Sequence, residues 1–181
     1  MVEQQNIDWA LLKQRLPYKQ TPEAKALRDE LWKGIDMNGN GYVSLAEVDK
    51  GLRDNLNCFA VFECKPVIIR AFQAAKNAVK TKKSHGLDYV DRAEFRLLLL
   101  YLRQYFEYYQ AFCRVDKDDD NRISLDEFKA GKAMIEKWVG PLASAEQAFN
   151  EIDKNGGGFI LFDEFCAWAI IKKLDLEDDD D

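Results

Sequence analysis

Apolar residues recur every three or four positions along much of the chain, as they do on one face of an amphipathic helix. Thr21 followed by Pro22 is a helix start signal, because a capping residue then precedes proline at the first helical position. The stripe that follows consists of Ala24, Leu27, Leu31 and Ile35. An earlier stripe predicts an additional N-terminal helix that ends at Pro17, and its members are Ile7, Trp9, Leu12 and Leu16.

Further helices are indicated downstream. Pro66 is expected to open a helix that continues to about Lys80. The apolar-rich segment 93–115 is either one long helix or two helices with a break near Arg103. Gly140 and Pro141 then separate two later helical segments.

Between the helical segments the chain repeats one twelve-residue loop. The copies "DMNGNGYVSLAE" (36–47), "DKDDDNRISLDE" (116–127) and "DKNGGGFILFDE" (153–164) begin with Asp, carry an apolar eighth residue and end in Glu. A degenerate copy, "KSHGLDYVDRAE" (83–94), keeps only the apolar eighth residue and the final Glu. Ser44 with Glu47, and Ser124 with Glu127, also have capping-box spacing, so each of these loops should start its outgoing helix.

The repeat predicts an all-α fold of four EF-hands in two paired lobes, calmodulin-like, with an extra N-terminal helix. Short β-bridges are expected between paired loops, where Val43 meets Val90 and Ile123 meets Ile160. The predicted divisions are an N-terminal helical extension (1–20), an N-terminal lobe (21–102), a C-terminal lobe (103–174) and an acidic tail (175–181).

The residue types at the ligand positions point to calcium, a hard cation that takes about six to eight oxygens. Side chains at positions one, three, five and twelve, a carbonyl at seven and a group at nine supply them. The third loop brings four carboxylates, and its predicted ligands are Asp116, Asp118, Asp120, the Arg122 carbonyl, Ser124 and Glu127. The first loop brings two, and its predicted ligands are Asp36, Asn38, Asn40, the Tyr42 carbonyl, Ser44 and Glu47.

The other two loops are eroded. The fourth keeps Asp153, Asn155, the Phe159 carbonyl and Glu164, which leaves about five oxygens and predicts a weak site. Its fifth and ninth residues, Gly157 and Leu161, offer no side-chain oxygen. In the second loop Lys83 and Leu87 occupy ligand positions, so that loop is expected to bind no calcium. The expected cofactor is therefore Ca²⁺ at two sites, with a weak third.

Composition narrows the remaining classes. A formal net charge of −6 on 181 residues argues against nucleic acid as a partner. The four cysteines have neither disulfide-framework nor zinc spacing, and with no signal peptide we expect free thiols in a cytoplasmic protein. The chain contains no HExxH motif, phosphate-cradling glycine loop or nucleophile elbow, so we expect no enzyme.

Longer segments resemble the calflagins, the flagellar calcium-binding proteins of trypanosomatids. The likeness includes "LPYKQTPEAKALRDELWKGID", "DYVDRAEFRLLLLYLRQYFE" and "NEIDKNGGGFILFDEFCAWAIIKKLD". It implies four EF-hands in two lobes, calcium sensing and a ciliary or flagellar location. Members of that family begin Met-Gly, whereas this chain begins "MVEQQN", so no direct lipid anchor is expected. The family is strongest in its third and fourth hands, whereas here the first is well formed and the fourth eroded.

Two main functions remain open at this point. The leading hypothesis is a calcium sensor that reorients its helices and exposes apolar surface to a protein partner. The alternative is a structural EF-hand component of the axoneme or its microtubules, with little calcium-driven switching; a calcium buffer ranks third. The sequence leaves the partner's identity and the oligomeric state open.

Overall fold

The computed structural model describes residues 7–78, 88–174 and 176, and this part of the chain is mostly helical. Its helices are α1 (Trp9–Arg15), α2 (Pro22–Ile35), α3 (Leu45–Asp54), α4 (Phe59–Glu63), α5 (Lys65–Lys76), α6 (Phe95–Val115), α7 (Leu125–Val139), α8 (Ala145–Ile152) and α9 (Phe162–Lys172). Its strands are β1 (Tyr42–Val43), β2 (Val90–Asp91), β3 (Arg122–Ser124) and β4 (Phe159–Leu161). None of the helices in the described ranges is both long and apolar enough to cross a membrane.

The strands form two short antiparallel pairs, and each pair ties two loops together. β1 pairs with β2, with Val43 opposite Val90, and β3 pairs with β4, with Ile123 opposite Ile160. All four of these side chains are fully buried. The predicted contacts between paired loops are confirmed, because the apolar eighth residue of each loop reaches a core through its bridge.

Helix starts follow the capping chemistry read from the sequence. The Thr21 hydroxyl accepts a hydrogen bond from the Ala24 amide at 3.2 Å, with Pro22 in the first turn of α2. Complete capping boxes join Ser44 to Glu47 at the start of α3 and Ser124 to Glu127 at the start of α7. The glutamate that closes the first and the third loop therefore also begins a helix.

The chain divides into two compact units, each with its own core. The N-terminal unit is Asn6–Phe106, and the C-terminal unit contains Glu107–Asp181. Fully buried side chains of the N-terminal unit include Leu16, Leu52, Ile68, Leu98, Leu99 and Leu102. Those of the C-terminal unit include Phe112, Phe128, Ile135 and Phe165, with aromatic rings meeting edge to face.

The helices decide one open alternative and differ from expectation at two places. The segment 93–115 contains one uninterrupted helix, α6, without a break at Arg103. α5 ends at Lys76 rather than near Lys80, because the Asn77 side chain donates to the Gln73 carbonyl and closes the last turn. The five-residue α4 was not predicted, since so short a helix shows no periodic pattern.

Leu174 and Leu176, which follow α9, are buried in the C-terminal unit. α9 is stopped by Lys173 in the left-handed conformation, and the Leu174 amide donates to the Ala169 carbonyl at 3.0 Å. Leu176 is fully buried, and its amide donates to Oε1 of the buried Glu107 at 2.7 Å. The rest of the acidic tail lies outside the described residues.

Candidate metal sites

The third loop gathers three carboxylates at one point. Carboxylate oxygens of Asp116, Asp118 and Asp120 all lie within 4.8 Å of one another. The loop achieves this with two left-handed residues, Asp119 (φ 58°) and Asn121 (φ 64°), and Asn takes the position where glycine is usual. Such an arrangement of hard oxygen atoms suits a calcium-sized cation.

Asp116 is the deepest of the three carboxylates. Its residue is 5% exposed, and its Oδ2 accepts a hydrogen bond from the Asn121 amide at 2.9 Å. Its other oxygen, Oδ1, is buried and has no hydrogen-bond partner in the described part of the chain. Burial raises the pKa of Asp116, and the nearby charges of Glu127 and Asp120 act in the same direction. A cation at this point would satisfy Oδ1 and relieve the repulsion.

Glu127 closes the loop from the helix side. Its Oε2 accepts from the amide and hydroxyl of Ser124, at 2.9 and 2.7 Å, and its Oε1 accepts from the Lys117 amide at 2.8 Å. Burial opposes ionisation of this carboxyl, but the hydrogen bonds outweigh it and hold its pKa below the usual range. The loop thus already has a charged carboxylate fixed at its twelfth position.

Arg122 plays a part that the sequence did not reveal. The prediction used only its carbonyl, whereas its guanidinium forms a salt bridge with Oδ2 of Asp120 at 2.6 Å. The same guanidinium carbon lies 4.4 Å from the ring centroid of Phe159 in the paired fourth loop. A predicted ligand carboxylate is therefore paired with a side-chain cation, which would compete with a metal for it.

The first loop has the same hydrogen-bond scheme with fewer charges. Both oxygens of Asp36, a buried residue, accept amide hydrogen bonds, from Asn40 at 3.1 Å and Gly41 at 3.0 Å. Oε2 of Glu47 accepts from the Ser44 amide and hydroxyl. Its Oε1 accepts from the Asn38 side chain at 3.1 Å. The side-chain oxygens of Asn38 and Asn40 hold the turn by accepting backbone amides two residues on.

The fourth loop keeps the same hydrogen bonds to its first and last residues but lacks side-chain oxygens at positions five and nine. Asp153 accepts from the amides of Gly157 and Gly158 at 3.0 and 2.9 Å, and Glu164 accepts from Asn155 and Leu161. A side chain at the fifth position would begin 2.5 Å from Oδ1 of Asn155. Leu161 is 42% exposed and has no hydroxyl to complete a capping box. The Phe159 carbonyl lies on strand β4, beside β3 of the third loop.

Only the second half of the degenerate second loop is described, so Lys83 and Leu87 lie outside the described residues. Glu94, its closing residue, is fully buried, and its Oε2 accepts from the Asp91 amide at 3.1 Å. Asp91 accepts from the Glu94 amide in return, at 3.0 Å. The Asp-x-x-Glu spacing was the available signal for this reciprocal cap, which gives the loop a structural use for its glutamate.

Comparison with known proteins agrees with the loop geometry. Residues 12–102 match a family model described as the FCaBP EF-hand domain, and residues 105–170 match an EF-hand domain pair. The flagellar calcium-binding protein TB-17 of Trypanosoma brucei brucei is 36% identical over 177 residues, covering 97% of this chain and 76% of the relative. The flagellar calcium-binding protein of Trypanosoma cruzi is 33% identical over 175 residues, covering 96% and 83%.

Among solved structures, a homolog of programmed cell death 6 protein from Leishmania major Friedlin is similar with a TM-score of 0.42 and 16% identity. The similarity covers 89% of this chain and 80% of that one.

Proposed function

The chain belongs to the flagellar calcium-binding protein family of EF-hand proteins, and from that membership we propose that it is a flagellar calcium sensor. We propose four EF-hand motifs in two pairs, with the second retained for structure. The observation that carries the proposal is the third loop, where three converging carboxylates include a buried oxygen without a donor in the described residues.

Two loops would hold calcium well. In the third, Asp116, Asp118, Asp120 and Glu127 would supply carboxylate oxygens, with the Arg122 carbonyl and Ser124 completing the set. In the first, Asp36 and Glu47 would supply charge, with Asn38, Asn40, the Tyr42 carbonyl and Ser44. The fourth would bind weakly through Asp153, Asn155, the Phe159 carbonyl and Glu164. Bound calcium would neutralise these clustered carboxylates and draw the closing glutamate, hence the start of its helix, toward the loop.

Movement of Glu127, the closing residue of the third loop, would directly affect the core of the C-terminal unit. Glu127 is in the first turn of α7, and Phe128, the next residue, is fully buried against Phe149 and Trp168. Movement of α7 would therefore rearrange aromatic packing and offer apolar surface to a protein partner. We place that partner in the flagellum because the relatives are named flagellar proteins, and we propose a binding role rather than catalysis.

One observation favours the second candidate, a structural component of the axoneme or its microtubules. The closing carboxylates of the first, third and fourth loops all accept hydrogen bonds from their own loops. Loops stabilised in this way could hold their shape as a permanent adaptor, with little further change on binding calcium.

Calorimetry and hydrophobic-dye binding on the chelator-stripped full chain test the proposal. Wild type is compared with Glu47→Gln, Glu127→Gln and Glu164→Gln, since each variant removes one bidentate carboxylate while keeping side-chain size. We expect two strong sites, lost one at a time in the first two variants, and a weak site sensitive to Glu164→Gln.

Dye binding separates the two functions. An increase with calcium that disappears in Glu127→Gln supports the sensor. Calcium binding with a flat dye response, together with retention on axonemes washed in chelator, supports the structural component and overturns the sensor. Absence of any saturable heat would overturn calcium binding itself.

A further inference from the structure

A pocket in the N-terminal unit collects positive charge and is lined by none of the proposed calcium ligands. It has a volume of about 270 Å³ and lies between α2 and the start of α6. Four cations, Lys25, Arg28, Arg92 and Arg96, and one carboxylate, Asp29, line it. Four cations against one carboxylate leave an excess of three positive charges, in a chain whose formal net charge is −6.

Two of the arginines are fixed by backbone carbonyls rather than by carboxylates. The Arg28 guanidinium donates to the carbonyls of Pro17 and Lys19, both at 2.6 Å. The Arg96 guanidinium donates to the Tyr18 carbonyl, between them in sequence, at 3.5 Å. Neither arginine forms a salt bridge within the described residues. The carbonyls orient the Arg28 guanidinium, Arg96 makes one long contact to the same segment, and neither charge is neutralised.

The two guanidinium groups also repel each other. Burial lowers the pKa of Arg28, and the positive charge of Arg96 lowers it further. Asp29 acts in the opposite direction, but its carboxylate is engaged by Lys25 at 2.9 Å and Arg92 at 2.8 Å. An anion entering the pocket would offset a repulsion that the chain's own carboxylate leaves in place.

Two buried aromatic residues, Trp32 and Phe95, also line the pocket. Trp32 is 4% exposed and meets Phe95 edge to face, with ring centroids 5.2 Å apart. Buried apolar side chains lower the local dielectric constant, which strengthens the attraction of neighbouring cations for an anion. Fixed arginine forks of this kind match the oxygens of a phosphate group better than lysine ammonium groups do.

We propose that this pocket binds a phosphate monoester, with Arg28 and Arg96 as its main ligands and Arg92 and Lys25 at its rim. A dianionic group would neutralise most of the local excess, and its several oxygens would accept from both guanidinium groups together. The site uses none of the proposed calcium ligands, so its test is separate from that of the proposed sensor function.

Titration of the full chain with inorganic phosphate, at constant ionic strength, tests the site by NMR of the arginine Nε–H groups. We expect saturable shifts at Arg28 and Arg96, and about a tenfold weaker affinity in Arg96→Gln. Arg53→Gln is the matched control, because that exposed arginine in the same unit pairs with Asp54 instead. Shifts that do not saturate, or an equal loss in Arg53→Gln, would overturn the proposal.

Arg96→Gln also removes a contact to the 17–19 backbone, so Arg92→Gln provides a second variant that leaves this contact intact. Its guanidinium contacts Asp29 and is 55% exposed, and we expect a smaller loss of about threefold. An unchanged affinity in Arg92→Gln together with a misfolded Arg96→Gln would count against the pocket.

The source of the phosphate is resolved by two probes with the same head group. Glycerol 3-phosphate supplies it in solution, and phosphatidylcholine vesicles containing phosphatidic acid supply it at a membrane. Binding of either probe that weakens in Arg96→Gln but not in Arg53→Gln supports the site and identifies its source. If both probes bind equally well to wild type and to Arg96→Gln, the proposed site is overturned.

Discussion

At the scale of single residues, the salt bridge between Arg122 and Asp120 engages a predicted ligand of the third loop. The guanidinium occupies Oδ2 of Asp120 and places a positive charge beside the proposed calcium position. Arg122→Gln should therefore raise the calcium affinity of this loop about threefold to tenfold, while the position-seven carbonyl stays in place. Calorimetry on the full chain measures the change, and Arg53→Gln, which removes a charge from the N-terminal unit, should leave the affinity of the third loop unaltered. Weaker binding in Arg122→Gln would mean that the arginine positions Asp120 for the ion.

The fourth loop allows the opposite experiment, a gain of ligands. Gly157→Asp combined with Leu161→Ser supplies the oxygens missing at positions five and nine, and should raise the affinity at least about tenfold. Oδ1 of Asn155 must move aside, since a new Cβ would lie 2.5 Å from it, and this atom is the far end of a flexible side chain whose amide donates to Glu164. Gly157→Ala is the control, because it adds the same Cβ without an oxygen and should bring no gain. A calorimetric titration that shows the same weak site in both variants would contradict this account.

Loop numbering predicts ligand positions at this scale, and the structure brings together the carboxylates of Asp116, Asp118 and Asp120. Several of the interactions that escaped prediction join residues far apart in sequence. Arg28 and Arg96 meet the 17–19 backbone across 11 and 78 positions, and the link between Arg122 and Phe159 depends on strand pairing. No local pattern encodes such contacts.

At the scale of elements, capping residues and apolar stripes gave correct starts for α2, α3 and α7, because caps act within one turn. The burial of Leu176 was not predicted, because it depends on residues that are distant in sequence. Leu176 lies in a segment that reads as an acidic tail, and its burial follows from the left-handed stop at Lys173 and from Glu107, 69 residues away.

The packing of Leu176 should contribute to the stability of the C-terminal unit. Leu176→Ala removes a fully buried side chain and should lower the free energy of unfolding by about 2–5 kcal/mol. Ile171→Ala is the matched control, since Ile171 is 77% exposed and its truncation should change stability by no more than about 0.5 kcal/mol. Denaturant unfolding followed by tryptophan fluorescence measures both. Equal effects would show that Leu176 contributes no more than a surface residue.

At the scale of the whole molecule, each compact unit combines its own core with a well-formed loop, so calcium should stabilise each unit through one glutamate. An ion that binds only the folded unit adds about 2.7 kcal/mol at a hundredfold excess over its dissociation constant. Hydrogen exchange of the full chain should show this added stability as slower exchange. The Phe112 and Phe128 amides should gain protection that depends on Glu127, and the Leu98 and Leu99 amides should gain protection that depends on Glu47.

The two variants serve as each other's controls in this measurement. Glu127→Gln should abolish most of the calcium-dependent protection in the C-terminal unit, where the third loop has the greater charge, while the gain at Leu98 and Leu99 remains. Glu47→Gln should do the reverse. Calcium-dependent protection that survives in both variants would show that calcium binds elsewhere than in these loops. A neutral amide at position twelve cannot replace the bidentate carboxylate on which the loop geometry depends.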